Sequence, residues 1–232
     1  MKPVCIIPAR GGSKRIPQKN IRPFCGQPMI AWPIAAAIAS GCFERIIVST
    51  DDDKIAAAAR ACGAETPFRR PADLADDHTP TVPVIADAIT QLSLDTDTPV
   101  CCLYATAAFV TPGDLRAGHD LLMHEGAAFV VSVTDFAFPI QRALRRDSLG
   151  RIAMIDPAQM QTRSQDLEQA WHDAGQFYWG LAHAWTGGRG VFEGDAFGLT
   201  LPRHRVQDID TPDDWAHAEL MMRAMQLRDA EG

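Results

Sequence analysis

Short apolar runs alternate with longer Ala-rich stretches along the first 133 residues of the chain. Continuous apolar runs are typical of parallel strands that are covered on both faces. They predict strands at residues 4–8, 45–50, 64–67, 100–104 and 127–133. The Ala-rich stretches predict helices at residues 28–40, 51–61, 82–92 and 112–124. Because strands that alternate with such helices indicate βαβ units, we expect an α/β fold with a mostly parallel, Rossmann-like sheet and helices on both faces.

This alternation stops after Thr134. Residues 135–190 show little helical periodicity and contain several large aromatic residues, among them Trp171, Tyr178 and Trp179. We interpret this segment as a β-rich insertion that covers a site or forms a subunit contact.

The alternation resumes near the end of the chain. A strand is predicted at residues 205–209 and a helix from Pro212 to about Leu227. Thr211 is a good N-cap, and proline is favoured in the first turn of a helix. The 232 residues are therefore expected to form a single domain that includes the insertion.

The composition excludes several classes of protein. Apolar residues make up 47% of the chain and charged residues 22%, which is typical of a globular protein and not of a disordered or fibrous one. No apolar run approaches the ~20 residues of a membrane helix, and Arg10 interrupts the first run too early for a signal peptide. The six cysteines are scattered, which favours reduced thiols. We therefore expect a cytoplasmic protein that does not bind membranes.

Charge is distributed unevenly along the chain. The net charge is −7, but the first 43 residues contain six basic residues and no acidic residue, so they carry +6 and the rest carries −13. A nucleic-acid-binding protein is usually basic over a whole face, so no nucleic-acid partner is expected. One basic segment in an acidic chain favours a small anionic ligand.

The basic segment contains a loop that follows the first predicted strand. Residues 10–20 hold two adjacent glycines and four basic residues, of which Arg10, Lys14 and Lys19 are spaced so that a curled loop could bring them onto one anion. Such a loop suits a triphosphate, because main-chain N–H groups and cations converge on the phosphates. The loop matches neither the Walker A pattern nor the G-x-G-x-x-G dinucleotide pattern. A solvated basic turn is the alternative, and the position of the loop after a buried strand favours the ligand site.

Two carboxylates precede the last predicted helix. Asp208 and Asp210 would point to the same face of a strand, since side chains alternate along strands. Paired carboxylates can bind Mg²⁺ together with phosphate oxygens. The alternative is that Asp210 only helps to cap the helix that follows Thr211.

A third polar region combines a cation, amides, carboxylates and aromatic rings. It covers residues 162–166 and 171–180. This mixture suits a carboxylated, acylamino sugar, because rings pack on apolar sugar faces and amides bind hydroxyls. For Phe177 and Trp179, a place in the core is the favoured interpretation. His172 and Asp173 resemble part of a catalytic triad, but the chain has no G-x-S-x-G motif, so hydrolase chemistry is not expected.

Several motifs together resemble one family. Residues 6–17 (IIPARGGSKRIP) with Lys19 and Asn20, and then residues 47–51, 70–77 and 208–211, are similar to the ordered motifs of the CMP-sugar synthetases that activate nonulosonic acids. Within that family, residues 104–106, 162–168 and 172–180 resemble the pseudaminic acid branch. The sialic acid branch would be expected to have Gln-Pro-Thr near residue 104 and Arg near residue 172.

The resemblance implies a nucleotidyltransferase fold and a reaction. CTP and pseudaminic acid, an acidic nine-carbon sugar, would give CMP-pseudaminic acid and pyrophosphate, for glycosylation of cell-surface or flagellar structures. It also implies Mg²⁺ as cofactor and a homodimer in which the insertion reaches toward the partner's site.

The same resemblance assigns roles to individual residues. The catalytic residues would be Arg10, Lys14, Lys19, Asp208 and Asp210, with Asp208 and Asp210 as metal ligands. The nucleotide would contact Arg10, Gly11, Gly12, Ser13, Lys14, Lys19, Asn20, Arg70, Thr81, Tyr104 and Thr106. The sugar would contact Gln141, Arg163, His172, Asp173, Gln176, Phe177 and Tyr178, with Arg163 on the sugar carboxylate.

Two alternatives remain open from the sequence. The sugar would be legionaminic, sialic or 3-deoxy-octulosonic acid in one of them, with the same chemistry. In the other, the chain would be a catalytically silent CTP-binding subunit, against which the presence of Lys14, Lys19, Asp208 and Asp210 argues.

Overall fold

The structure is a computed structural model, and it describes residues 2–231 of the chain. Its strands are β1 (Val4–Pro8), β2 (Pro23–Phe24), β3 (Gln27–Pro28), β4 (Arg45–Ser49), β5 (Pro99–Leu103), β6 (Phe129–Asp135), β7 (Leu144–Arg146), β8 (Ile152–Met154), β9 (Trp171–Leu181) and β10 (Ala196–Thr200). Its α-helices are α1 (Ala31–Ser40), α2 (Asp53–Ala61), α3 (Thr81–Gln91), α4 (Pro112–Glu125), α5 (Ala182–Thr186) and α6 (Pro212–Glu231).

Six strands form the central sheet, in the order β10–β6–β9–β5–β1–β4. Strand β1 is parallel to β4 and β5, and β10 is parallel to β6. Strand β9 lies between β5 and β6 and is antiparallel to both. The predicted α/β fold with a mostly parallel sheet is thus confirmed.

Helices cover both faces of this sheet. Along β1, Cys5 and Ile7 pack in one core layer with α1, α2 and α4, whereas Val4 and Ile6 pack in the other with α3 and α5. Strand residues alternate between the faces, so a continuous apolar run fills both layers. Burial on both faces makes the sheet a rigid platform for the loops at its edge.

Helix α6 packs outside these layers, against the loops near the end of β1. Trp215 lies edge-on against Phe24, with 5.3 Å between ring centroids, and the same cluster contains Ile16. The helix begins as predicted at Thr211, whose hydroxyl accepts a hydrogen bond from the Asp214 N–H at 3.2 Å, while Asp214 accepts from the Thr211 N–H at 2.8 Å. This capping box fixes the point at which the chain of residues 206–210 enters the helix.

Two predicted strands are wrong. Residues 64–67 form only one bridge, between Glu65 and Ile47, because the segment turns away after a single pairing. Residues 205–209 pair with no strand of the described chain, and the edge strand is β10 instead, beside β6. The glycine-containing β10 approaches β6 closely, since a Cβ at Gly198 would lie 2.9 Å from the Val133 side chain.

The predicted insertion at residues 135–190 has two parts in the structure. Strands β7 and β8 form a separate antiparallel hairpin, whereas β9 is a strand of the central sheet. Most large apolar residues from Phe136 to Met160 are exposed, Phe138 at 82% and Leu149 at 76%. The two parts therefore differ in burial as well as in pairing.

The helix predicted at residues 28–40 begins later, at Ala31. Pro33 is its third residue, where a missing N–H breaks no helical hydrogen bond. Nowhere in residues 2–231 does a helix combine the length and the apolarity that crossing a membrane requires.

Candidate active site

The carboxyl ends of β1, β4 and β5 meet at one edge of the sheet. The loop of residues 9–20, which we call the basic loop, leaves β1 at this edge. With Arg70, Thr81, Tyr104, Thr106 and Asp210 it encloses a cleft of about 240 Å³, to which it contributes Arg10, Ser13, Lys14, Arg15, Lys19 and Asn20. The edge beyond the carboxyl ends of parallel strands is where α/β folds bind ligands.

Two polar groups hold the basic loop in place. The Gly11 N–H donates to Asp51 Oδ1 at 2.9 Å, and the buried Asn20 donates from Nδ2 to the Arg10 carbonyl at 3.1 Å. Gly11 must be small, because a Cβ there would lie 2.8 Å from the Asp52 side chain. Gly11 and Asn20 thus shape the loop, and their predicted contact with a nucleotide stays a prediction.

Four cations of the basic loop converge on two carboxylates. Arg10 and Lys14 both contact Asp77. Arg15 lies 2.9 Å and Lys19 3.3 Å from the two oxygens of Asp210. The Lys14 ammonium and the Arg10 guanidinium lower the pKa of Asp77 to about 2. The predicted cations are therefore brought together, as a phosphate site requires.

Arg70 supplies a further cation from below the cleft. It is buried, and its Nε donates to Ser49 Oγ at 3.1 Å at the end of β4. Burial lowers the pKa of the guanidinium, and Asp51 nearby opposes that effect. The anchored guanidinium is a fixed positive group on the cleft wall.

A second cleft adjoins the first and shares one wall with it. Its volume is about 620 Å³, and Lys19, Tyr104, Thr106 and Asp210 line both clefts. Its other polar lining residues are His172, Asp173, Tyr178, Gln207 and Asp208. Most predicted nucleotide residues thus line the first cleft, whereas of the predicted sugar residues His172, Asp173 and Tyr178 line the second.

Hydroxyl groups run along the wall between the clefts. Thr81 Oγ1 and Tyr104 Oη are 2.9 Å apart, the Tyr104 and Tyr178 rings pack edge-on, and the Tyr178 hydroxyl donates to Asp173. Burial raises the pKa of both phenols, so both remain protonated donors at neutral pH. This wall offers neutral hydrogen-bonding groups between a cationic and an anionic cleft.

Asp208 and Asp210 both line the second cleft, although the strand predicted to hold them is absent. Desolvation raises the pKa of Asp208, and the neighbouring Asp210 carboxylate raises it further. Lys19 Nζ donates to the Ile209 carbonyl at 2.6 Å, between the two carboxylates. The pair therefore lies together beside a cation, in extended chain rather than in a sheet.

An ion pair whose side chains are only 14% and 12% exposed secures the chain that leads to these carboxylates. The Arg205 guanidinium binds both oxygens of Asp114 at the start of α4, and one of these contacts is 3.0 Å. Burial alone would raise the pKa of Asp114, but hydrogen bonds from Arg205 and Thr111 outweigh it and lower the pKa. Gln176 is also buried and donates to the Arg205 carbonyl, so it supports the site from beneath.

Four predicted sugar ligands line neither cleft, Gln176 among them. Gln141 donates to the Glu168 carbonyl at 2.9 Å, and exposed Arg163 pairs with Asp166 at 2.8 Å. Phe177 is fully buried among core residues, so its assignment to the sugar is wrong for this fold. It faces α4, where a Cβ at Gly118 would lie 2.9 Å from its ring.

The sequence interpretation missed Arg15 and Asp77. Arg15 follows Lys14 directly and was available as a fourth cation of the basic loop. Asp77 is separated from Arg10 by 67 residues, so only the fold brings them together.

A family model described as cytidylyltransferase matches residues 4–178, more than half of the chain. The chain belongs to the cytidylyltransferase family. The resemblance drawn from the basic loop and the later motifs is thereby confirmed.

Relatives of this cytidylyltransferase match over nearly its whole length. It is 40% identical to the pseudaminic acid cytidylyltransferase of Campylobacter jejuni subsp. jejuni serotype O:23/36 (strain 81-176), over 96% of this chain and 97% of the relative. It is 33% identical to the CMP-N,N'-diacetyllegionaminic acid synthase of Legionella pneumophila subsp. pneumophila, over 97% of this chain and 98% of the relative.

A solved structure shares the fold. The CMP:2-keto-3-deoxy-manno-octonic acid synthetase complexed with CTP has a TM-score of 0.70 and 16% sequence identity, and the match covers 97% of this chain and 100% of the other. At this level of identity the likeness shows a shared fold.

Proposed function

We propose that this cytidylyltransferase transfers CMP from CTP to pseudaminic acid and releases pyrophosphate. The observation that carries the proposal is the shared wall, in which Lys19, Tyr104, Thr106 and Asp210 line both clefts. Two substrates bound in touching clefts would meet at that wall. The relative with 40% identity and matched length supports pseudaminic acid as the sugar.

The first cleft suits the nucleotide. Arg10, Ser13 and Lys14 line this cleft and not the second, and Arg70 adds a buried cation. A triphosphate gains charge-assisted hydrogen bonds from such groups. Thr81 and Tyr104 would contact the nucleoside end through their hydroxyls.

The second cleft suits an acylamino sugar. His172, Asp173 and Tyr178 line it together with Asp208, and Asp210 lines it from the shared wall. Carboxylate and hydroxyl groups are ligands for sugar hydroxyl and amide N–H groups. His172 occupies the position where an arginine is expected for sialic acid, which favours pseudaminic acid over that alternative.

The carboxylate pair suits Mg²⁺ as cofactor. Within residues 2–231, no group of three or more His, Cys, Asp or Glu residues could hold a metal ion by itself. Mg²⁺ needs only one or two carboxylates when substrate phosphates complete its ligands. Desolvation and, next, the Asp210 carboxylate raise the pKa of Asp208, and a cation bound between the two carboxylates would favour their charged forms. Bound there, the metal would neutralise phosphate charge.

The reaction requires the sugar's anomeric hydroxyl oxygen to attack the α-phosphorus of CTP. The new P–O bond forms as the bond to the β-phosphate oxygen breaks, and pyrophosphate carries away that electron pair. The hydroxyl proton is lost to solvent or to a carboxylate of the second cleft. Arg10, Lys14 and Lys19 would bind the phosphates and stabilise the leaving group, because such transfer depends on positioning and electrostatics.

The exposed hairpin region supports a homodimer. Phe138, Leu149, Ile152 and Ile155 are each more than 60% exposed on residues 136–160. A cluster of exposed apolar residues on one segment is typical of a protein interface. A second copy of the chain is the proposed partner. Gln141, within this segment, and Arg163, just after it, would then face the partner's sugar cleft.

Pyrophosphate release tests the proposal. The protein is assayed with CTP and Mg²⁺ while pseudaminic, legionaminic, N-acetylneuraminic and 3-deoxy-octulosonic acids are supplied in parallel. We expect release with pseudaminic acid. Release with another sugar alone would refute the proposed specificity, and binding of CTP without any release would indicate a silent subunit. Asp210→Asn should abolish release, whereas Asp213→Asn, an exposed neighbour, should not.

A further inference from the structure

Asp77 bridges two cations of the basic loop. One carboxylate oxygen accepts from the Arg10 guanidinium, and the other contacts the Lys14 ammonium. Both cations belong to the group proposed to bind the triphosphate of CTP. The carboxylate therefore occupies positions where phosphate oxygens are expected.

The segment that carries Asp77 is held without it. Arg70 fixes the start of the segment, because its N–H donates to the Thr50 carbonyl at 2.9 Å. Asp76 folds the turn by accepting hydrogen bonds from the N–H groups of His78 at 2.9 Å and Thr79 at 2.6 Å. Within the described part of the chain, Asp77 has ion pairs and side-chain hydrogen bonds with Arg10 and Lys14 alone. Its carboxylate is thus free to leave without unfolding the turn.

The exchange of Asp77 for phosphate is favourable. Lys14 is 81% exposed, and the Arg10 and Asp77 side chains are about one third exposed, so water screens these pairs and weakens them. A triphosphate with about four negative charges gains more from the same cations than one carboxylate does.

The two clefts indicate which phosphates of CTP would compete with Asp77 for Arg10 and Lys14. The α-phosphate must lie at the wall shared with the sugar cleft, where Lys19 and Asp210 are found. Arg10 and Lys14 line only the first cleft. They are therefore placed for the β- and γ-phosphates.

We propose that Asp77 is an internal counterion that competes with the β- and γ-phosphates of CTP for Arg10 and Lys14, and that CTP displaces it. The inference rests on the proposed function, since it needs CTP in the first cleft. A nucleotide without those phosphates, such as CMP, does not compete with Asp77 for the two cations. Asp77 thus lowers the affinity for the triphosphate selectively.

Titration calorimetry tests this with CTP and with CMP, at one fixed ionic strength. Asp77→Asn keeps the shape of the side chain and removes its charge. Asp73→Asn makes the same charge change on an exposed residue of the same segment and is the matched control. We expect CTP to bind about three- to tenfold more tightly to Asp77→Asn, the scale of two exposed ion pairs. CMP binding, and both affinities in Asp73→Asn, should stay within about twofold of the unaltered protein.

Other outcomes overturn the inference. Weaker or unchanged CTP binding in Asp77→Asn would mean that Asp77 orients the cations or does nothing to them. Equal gains for CTP and CMP, or an equal gain in Asp73→Asn, would mean a general effect of net charge. Asp77→Ser, checked by circular dichroism, repeats the test if the asparagine variant is poorly folded. Failure of the unaltered protein to bind CTP would refute the proposed function itself.

Discussion

Lys19 donates a hydrogen bond from Nζ to the main-chain carbonyl of Ile209 at 2.6 Å. Because Ile209 separates Asp208 from Asp210, one cation from the first loop of the chain fixes the backbone between two carboxylates near its end. The bond joins residues 190 positions apart and lies in the wall that both clefts share. The side chain proposed to bind substrate phosphate therefore also holds the backbone of the carboxylate pair in place.

Replacing Lys19 with methionine should remove most of the activity. The variant keeps the aliphatic stem but loses the charge near the reacting phosphate, and kcat/KM for pyrophosphate release should fall by about 10²–10³-fold. Lys54→Met, on the exposed first turn of α2, is the matched control and should retain full activity. A Lys19→Met enzyme within about threefold of normal activity would contradict the role of the ammonium group.

The Asp114–Arg205 pair should make stability depend on pH. Asp114→Asn leaves a buried guanidinium without its counter-charge, so the free energy of unfolding at pH 7 should fall by about 3 kcal/mol. The folded-state pKa of Asp114 is lowered, so its stabilisation is present above the ordinary value of about 3.9 and is lost as the pH falls through the lowered pKa.

Urea unfolding at pH 7, 4 and 3 measures that dependence. The difference between the unaltered protein and Asp114→Asn should shrink as the pH falls below about 4. Asp120→Asn, on the exposed side of the same helix, should show little effect at any of these pH values. A constant difference across the range would show that the charge of Asp114 does not supply the stabilisation.

Two glycines of α4 should respond in opposite ways to alanine. At Gly118 a Cβ would lie 2.7 Å from the Trp179 ring, so Gly118→Ala should destabilise the protein by about 1–3 kcal/mol through overpacking. At Gly113 the nearest atom is Thr111 Oγ1 at 3.6 Å, so Gly113→Ala should be neutral or slightly stabilising. Thermal unfolding measures the stability of the two variants. An equal loss of stability in both would mean that helix propensity, and not the contact with β9, sets the effect.

Dimer formation through the hairpin should be sensitive to one charge. Ile152 is 66% exposed on β8, and Leu220 is 65% exposed on α6. Ile152→Asp should convert a dimer into monomers, because a carboxylate would be buried without a partner, whereas Leu220→Asp should not. Light scattering after size-exclusion chromatography measures the mass of each. Dimers in both variants would place the interface elsewhere.

Much of the fold follows from local pattern, and one central strand does not. Strands β1 and β5 are short apolar runs, so burial on both faces could be predicted from their residues alone. Strand β9 has the polar pair His172–Asp173 near its start, and Gly175 has a φ of +61°. The alternation of its side chains is therefore interrupted in the stretch where its pairing with β6 shifts register. Neighbouring strands far away in the sequence, rather than its own residues, place it in the sheet.

The candidate site, like the fold, could be predicted from the sequence only in part. The basic loop and the Asp208–Asp210 pair could be predicted, because each chemical group is concentrated in a few consecutive residues. Asp77 could not be, since its partners lie in a loop joined to it only through the fold. The residue pattern favoured a core position for Phe177, and only the family resemblance placed it on the sugar; strand alternation turns it toward the core layer under α4.

The reversed direction of β9 has a consequence for how substrate choice can change. An antiparallel strand begins at the edge where its parallel neighbours end, so β9 delivers His172 and Asp173 to the second cleft directly from paired backbone. The cations proposed to bind the nucleotide, in contrast, are carried by a loop. If the second cleft binds the sugar as proposed, its preference could be changed by exchanging side chains on backbone that is paired in the sheet, without loop remodelling, and the start of β9 would be the target for redesigning the acceptor.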